Sequence, residues 1–170
     1  MRLEARSANV EGCIPISIRD LIRTSLRMRP DRIIVGEVRG GEAVDMIQAM
    51  NTGHDGSMST GHANSARDMM SRLEIMILQG AELPIAAIRA QIASALDIVV
   101  HLGRLRDKSR KVLEVAEILG IREGEIAMQT LYRFEEKGEQ DGKITGGWIR
   151  ENPLEKTDKL ALAGVRLSAG

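Results

Sequence analysis

Aromatic residues are nearly missing from this chain, which has one Phe, one Tyr and one Trp in 170 residues. Tyr132, Phe134 and Trp148 all fall in the last quarter. The first 130 or so residues must therefore build their core from Ile, Leu, Val, Ala and Met, and a change of architecture is expected near residue 122. Cysteine is limited to Cys13, which excludes an internal disulfide framework and suits a reducing compartment. A small buried hydrophobe is the ordinary role of such a residue. No apolar run approaches the roughly 18 residues that a membrane span needs, and MRLEARSANVEG has no apolar signal core. The chain is thus expected to be soluble and intracellular. Charge of one sign is not in excess, with Lys plus Arg and Asp plus Glu at 24 each. That balance argues against dedicated nucleic-acid binding and leaves only local patches. Repeats, low-complexity tracts, a G-x-S-x-G elbow and zinc-like Cys/His spacing are absent as well. At 43% hydrophobic residues the chain can bury a core in one domain, or in one domain with an appendage.

What is present falls into a clear order. Residues 1–16 look irregular, with a short strand at 2–6 and a loop at 9–15. Ser17 can cap a helix that buries Ile18, Leu21, Ile22 and Leu26, with Asp20 adding negative charge to its first turn. Pro30 ends that helix. Arg19, Arg23, Arg27, Arg29 and Arg32 form the strongest basic concentration. Most of them read as a solvated face, and the sharper option is contact with phosphates or an acidic neighbouring subunit.

Residues 32–36 are too short and too β-branched for a helix and read as a buried strand. Gly40-Gly41 turns the chain into a helix at 42–51, with Ala43, Met46, Ile47 and Met50 inward and Gly53 just past its end. A second strand spans roughly 56–60. Asn64 or Ser65 caps the next helix, whose stripe is Met69, Met70, Leu73, Met76 and Ile77, and Gly80 stops it. Pro84 opens another helix with Ile85, Ile88, Ile92 and Leu96 on one face. Beyond Leu96 the period becomes that of strands, at 98–102, 111–119, 125–135 and 143–150. Turn-like pieces at 106–109, 120–124 and 137–142 separate them into an antiparallel meander. The polar tail from Glu151 is weakly helical at 157–163.

The organising stretch is 29–64. In open parallel sheets, ligands gather at the carboxyl ends of strands. Glu37 follows the first strand and His62 the second. Glu37 is either a solvated strand-end charge, or a group that polarises an attacking water or holds magnesium through water. His62 is either a polar turn residue or an imidazole that donates to a terminal phosphate. Arg39 lies close enough to Glu37 to join such a site. His54 and His101 read as a turn residue and a half-buried structural residue.

RMRPDRIIVGEVRGGEAVDM (27–46) and TGHDGSMSTGHANSARDMMSRLE (52–74) closely resemble the secretion traffic ATPases of type II and type IV systems. The best match is to the CpaF-type branch, which serves tight-adherence pili. The likeness covers roughly residues 1–120. It implies an α/β fold: a partial RecA-like P-loop NTPase core at 1–121, followed by a small antiparallel β meander and tail at 122–170. It also implies ATP and Mg2+ as cofactors, a homo-hexamer with full-length subunits, inner-membrane secretion or pilus platform proteins as partners, and a cytoplasmic location at that membrane. RIIVGEVRG takes the Walker B position, with Glu37 as catalytic glutamate, a possible magnesium contact through water. TGHDGSMSTGHAN takes the His box, with His62 as its characteristic histidine. Arg39 and Thr60 fall beside the nucleotide. MRLEAR matches the end of the acidic-box segment, placing Glu4 and Arg6 near nucleotide or neighbour. Many relatives carry isoleucine or leucine where Gly61 stands.

The large departure is that no G-x-x-x-x-G-K-[ST] phosphate loop occurs in the 170 residues. In relatives it precedes the acidic box, so here it would lie upstream of residue 1. The chain thus resembles the C-terminal part of such an ATPase, expected to hydrolyse little alone. The alternative is a non-catalytic assembly or regulatory module that docks on full-length subunits.

Overall fold

The computed structural model describes residues 1–6 and 14–165, so Cys13 and most of the loop expected at 9–15 lie outside the described residues. It divides into two compact units, Met1–Ala95 and Leu96–Gly170. The domain boundary expected near 121–122 falls instead at the end of a long strand. The division lies earlier because that strand pairs over residues 110–117 with the strand before it and over residues 114–122 with the strand after it.

In the first unit, α1 (Ile18–Leu26) starts with a capping box. Ser17 Oγ accepts from Asp20 N at 3.1 Å, and Asp20 Oδ2 accepts from Ser17 N at 3.0 Å. Two otherwise orphaned donors are thereby satisfied. Arg29, with φ of 50°, takes the chain out of the helix ahead of Pro30. A short parallel pair follows, β1 (Ile34–Val35) and β2 (Met58–Ser59), with Ile34 opposite Met58 and Val35 opposite Ser59. Both strands are shorter than expected. The expectation of a strand buried on both faces is also corrected, because burial alternates: Ile33 and Val35 are buried, whereas Ile34 is 68% exposed and Met58 55%. The period-2 geometry of a strand puts neighbours on opposite faces, and an unbroken apolar run does not reveal that only one face is covered.

The centre of this unit is α2 (Ala43–Met50), which packs against α1, α3 (Ala66–Gly80) and α4 (Ile85–Ala95). Ala43, Val44, Met46, Ile47 and Ala49 are all buried, so α2 is apolar nearly all round. Asp45 is the exception, at 5% exposed. Its carboxylate lies 2.6 Å from Arg19 Nε and 3.0 Å from Arg23 Nε. Arg19 Nη2 also donates to the carbonyls of Gly41 at 3.1 Å and Gly80 at 3.4 Å. Arg19 is thus half-buried against this acid, whereas Arg23 reaches it from the surface and Arg27, Arg29 and Arg32 lie on the solvated face as expected. A buried carboxylate without a countercharge would be costly, and the guanidinium fork supplies one while bonding two carbonyls. Ser65 Oγ caps α3 by accepting from Asp68 N at 3.0 Å. Ile88 and Ile92 anchor α4, while Ile85 is exposed rather than inward.

The second unit is a four-stranded antiparallel sheet in the order β3-β4-β5-β6: β3 (Ile98–Arg104), β4 (Arg110–Arg122), β5 (Glu125–Gln140) and β6 (Lys143–Arg150). A short helix, α5 (Asp158–Leu162), follows. The strands run further than their apolar patterns suggest because two turns need only two residues each. Glu123-Gly124 and Asp141-Gly142 adopt positive φ throughout, at 52° and 79°, and at 52° and 70°. That twist matches the flanking strands and lets pairing start at once. At the β3–β4 turn, Asp107 accepts from Ser109 Oγ at 2.6 Å, Ser109 N at 2.9 Å and, across the sheet, Ile144 N at 2.9 Å. These bonds, led by the Ser109 hydroxyl, pull the Asp107 carboxyl down to about 2.

Two outcomes are expected. In Gly80→Ala, the new methyl would run into the Gly41 carbonyl and Arg19 Nη2. Overpacking of about 1–3 kcal/mol outweighs the helix-propensity gain of up to about 1 kcal/mol, so urea denaturation should show a net loss of about 1–2 kcal/mol. For Asp107, a depressed carboxyl contributes stability that is complete above its ordinary value and drains away as pH falls through 2. Thermal melts between pH 4.5 and 2 should therefore show a steeper loss in the wild type than in Asp107→Ala.

Candidate functional site

The ends of β1 and β2 are fastened side by side beyond the two-residue ladder. Val38 N donates to Thr60 O at 3.0 Å, and Thr60 Oγ1 donates to Gly36 O at 2.5 Å. Glu37 and His62 are the side chains delivered by those fastened ends. Glu37 Oε1 lies 2.8 Å from His62 Nε2, and Glu37 Oε2 lies 2.6 Å from Arg39 Nη2. Glu37 is 24% exposed, while His62 at 81% and Arg39 at 75% face solvent. The carboxylate thus sits beneath two solvent-facing side chains. Oε1 is itself buried and makes no well-aligned hydrogen bond, since the imidazole is close enough for an ion pair but off the hydrogen-bond angle.

The Arg39 guanidinium, through its hydrogen bond and its charge, holds the Glu37 carboxyl below the usual range against the opposing pull of burial, and His62 adds to the effect. The loop between Glu37 and α2 is set by Glu42, whose Oε1 accepts from Arg39 N at 2.8 Å and Gly40 N at 3.2 Å. Burial pushes the Glu42 carboxyl up, but these backbone N–H groups outweigh it and the net direction is down. Behind the site, a Cβ on Gly61 would lie 2.6 Å from Met69 Cε. Met69 therefore fills the space that a side chain at position 61 would need.

The structure therefore brings together Glu37, Arg39, Thr60 and His62. Glu4 and Arg6 are placed differently. Glu4 pairs with Arg2 at 2.6 Å. Arg6 donates to the Ile14 carbonyl at 2.9 and 3.2 Å and exchanges backbone bonds with Ile16. Among the described residues, no recorded contact joins either of them to Glu37 or His62. His54 Nδ1 lies 3.2 Å from the Ala49 carbonyl, at the end of α2, and His101 is half-buried in β3. No group of three or more His, Cys, Asp or Glu among the described residues is placed to hold a metal directly. Glu42 and Met69 are the supporting residues that sequence reasoning missed. The signal for Glu42 was its position just past the Gly-Gly turn, where a carboxylate can reach back to loop N–H groups.

The Arg39–Glu37 pair has a measurable consequence. In Arg39→Ala, the carboxyl of Glu37 should move up towards its ordinary value, as followed by carbon NMR of the labelled side chain. An unchanged titration would mean that Arg39 does not hold the carboxylate in solution.

The chain as a whole has clear counterparts. A family profile described as Type II/IV secretion system protein matches residues 3–145. A putative conjugal transfer protein of Mycobacterium tuberculosis is 43% identical over 132 residues, which is 78% of this chain and 37% of that protein. The type IV secretion system protein PtlH of Bordetella pertussis is 41% identical over 105 residues, covering 59% of this chain and 31% of its own length. The crystal structure of the VirB11 ATPase from the Brucella suis type IV secretion system, in complex with sulphate, superposes with a TM-score of 0.56 at 39% identity, covering 59% of this chain and 31% of that one. The chain thus spans about a third of the length of the relatives it matches. With the family profile matching most of its length, the chain belongs to the type II/IV secretion system protein family.

Proposed function

We propose that this chain carries the hydrolytic side of an ATP-driven secretion or pilus-assembly motor, with Glu37 and His62 serving phosphoryl transfer to water. One observation carries the reading: a carboxylate held between an imidazole and a guanidinium at the adjoining ends of two parallel strands. When bound, ATP supplies the γ-phosphoryl group and Mg2+ neutralises its charge. Glu37 is the group that would hold the attacking water. Its lowered pKa makes it a weak base, so orienting the water fits it better than removing a proton beforehand. Arg39 and His62 present N–H groups on the solvent side of the carboxylate, suited to a terminal phosphate oxygen. Thr60 acts through the strand ends it fastens. With one carboxylate in the cluster, Glu37 would hold magnesium through water, the remaining oxygens of the ion coming from water and the phosphates. Glu4 and Arg6, both exposed, are the groups that would face nucleotide or a neighbouring subunit from the N-terminal segment.

The CpaF-type branch, a homo-hexamer with full-length subunits, an inner-membrane secretion or pilus platform and a cytoplasmic position beneath it belong to the same reading. They rest on the resemblance of residues 27–46 and 52–74. The second reading is a non-catalytic module that docks on full-length subunits. In that reading the backbone cradle and lysine for the phosphates come from the full-length subunits.

The purified chain is expected to hydrolyse ATP little or not at all. Adding the phosphate-loop half of a homologue should restore hydrolysis, and Glu37→Gln should then lower the rate by about 100-fold or more. Robust Glu37-dependent hydrolysis by the chain alone would overturn the expectation of inactivity. Inhibition of an intact homologue, or no effect on it, would favour the docking module.

A further inference from the structure

The loop that leaves Glu37 ends on a second carboxylate, Glu42, at the mouth of α2. A side chain in that place ordinarily caps the helix, but Glu42 makes no such cap. Loop carbonyls serve the first turn instead: Ala43 N donates to Gly40 O at 3.0 Å and Val44 N to Gly41 O at 3.3 Å. The Glu42 carboxylate is thereby released from capping and turns back along the chain. Its Oε1 takes both Arg39 N, at 2.8 Å, and Gly40 N, at 3.2 Å. No backbone acceptor is recorded for either N–H. Its Oε2 lies against Gly40, 3.4 Å from where a Cβ would stand.

Arg39 hangs from this clamp. Its guanidinium is 75% exposed, and among the described residues its one recorded side-chain partner is Glu37 Oε2, at 2.6 Å. Packing does not direct such a side chain, so its course is set where it leaves the backbone, because φ and ψ decide which rotamers are open to it. Gly40 and Gly41 give the loop little stiffness of its own. Without Glu42, two neighbouring N–H groups would lose their acceptor, and the loop would turn to find water or other partners. The guanidinium would then leave the loop in another direction.

We infer that Glu42 is a positioning residue, which by clamping the N–H groups of Arg39 and Gly40 aims the Arg39 guanidinium at Glu37. What this does for catalysis rests on the hydrolytic reading above, whereas the clamp itself rests on the loop geometry alone. The role belongs to the oxygen and its reach rather than to the negative charge. A group acting through charge would be replaced by any nearby carboxylate, and a clamp only by an oxygen at the same distance.

The test follows the Arg39 Nε–H in the full chain by nitrogen NMR. In the wild type this group should be ordered and slow to exchange with water. Glu42→Ala should loosen it as far as Glu37→Ala does, and the Arg39 and Gly40 amides should exchange about tenfold faster or more. Adding Glu37→Ala to Glu42→Ala should loosen Arg39 no further, since both act on one contact. Glu42→Gln keeps an oxygen on the same stem without the charge and should hold Arg39 nearly as the wild type does. Glu42→Asp keeps the charge but draws the oxygen back by one methylene, and should loosen it. A residue acting through charge gives the reverse order, and this crossed pair decides the matter even where Glu42→Ala does not fold. In the mixture with the phosphate-loop half of a homologue, Glu42→Ala should lower kcat by up to about 100-fold with KM changed less, and Glu42→Gln should restore most of the rate. A mixture inert even with the wild type would count against the hydrolytic reading alone, because the NMR decides the clamp without it. Wild-type order at Arg39 in Glu42→Ala, or Glu42→Asp holding Arg39 where Glu42→Gln loosens it, would overturn the inference.

Discussion

Two hydrogen bonds between strand ends govern the candidate site. Val38 N to Thr60 O and Thr60 Oγ1 to Gly36 O lock the chain segments that carry Glu37 and His62. Without them, a two-residue ladder would leave both segments free to splay, and a carboxylate and an imidazole on separate loops would seldom meet. The placement is thus a backbone property first and a side-chain property second. The 2.8 Å approach of Glu37 to His62 follows from it, and so does the position of Arg39, whose own N–H is tied to Glu42.

Behind that fastening stands α2 with its buried acid. Asp45 draws in Arg19 and Arg23 from α1, and Arg19 extends to the carbonyls of Gly41 and Gly80. Gly41 lies in the turn that leaves the Glu37 loop, and Gly80 closes α3. A Cβ on Gly41 would meet Gly80 Cα at 2.8 Å, so the two chain segments touch through bare backbone. The same guanidinium therefore neutralises a core charge and sets the exit direction of the loop. Packing and site geometry are coupled here through a single side chain.

Much of this could be read from the sequence, and the failures share a cause. The Ser17 cap, the Pro84 helix start and the order of the four meander strands follow from local rules and appear as expected, although three of the strands run further. Strand-end reasoning also brought Glu37 and His62 to one place, although what each does there is not decided by proximity. What escaped depends on partners distant in the chain. Arg19 looks solvated until a buried Asp45 on another helix is known. Ile33 to Val35 looks buried on both faces until the number of covering layers is known. The change of period beyond Leu96 coincides with the start of the second unit, while β4 looks like the end of the first until its pairing with both β3 and β5 is seen. Glu117, buried in β4, reads as an ordinary strand glutamate until the backbone N–H groups of Glu155 and Lys156 in the returning tail are seen to donate to it.

Gly61 and Met69 occupy what amounts to one shared volume beneath His62. A side chain at 61 and the thioether end of Met69 compete for it, and they are present together only if that flexible end swings aside. The two positions therefore behave as a single steric locus. A side chain introduced at 61 would therefore be accommodated by Met69 turning away, whereas shortening Met69 alone would leave the volume unfilled.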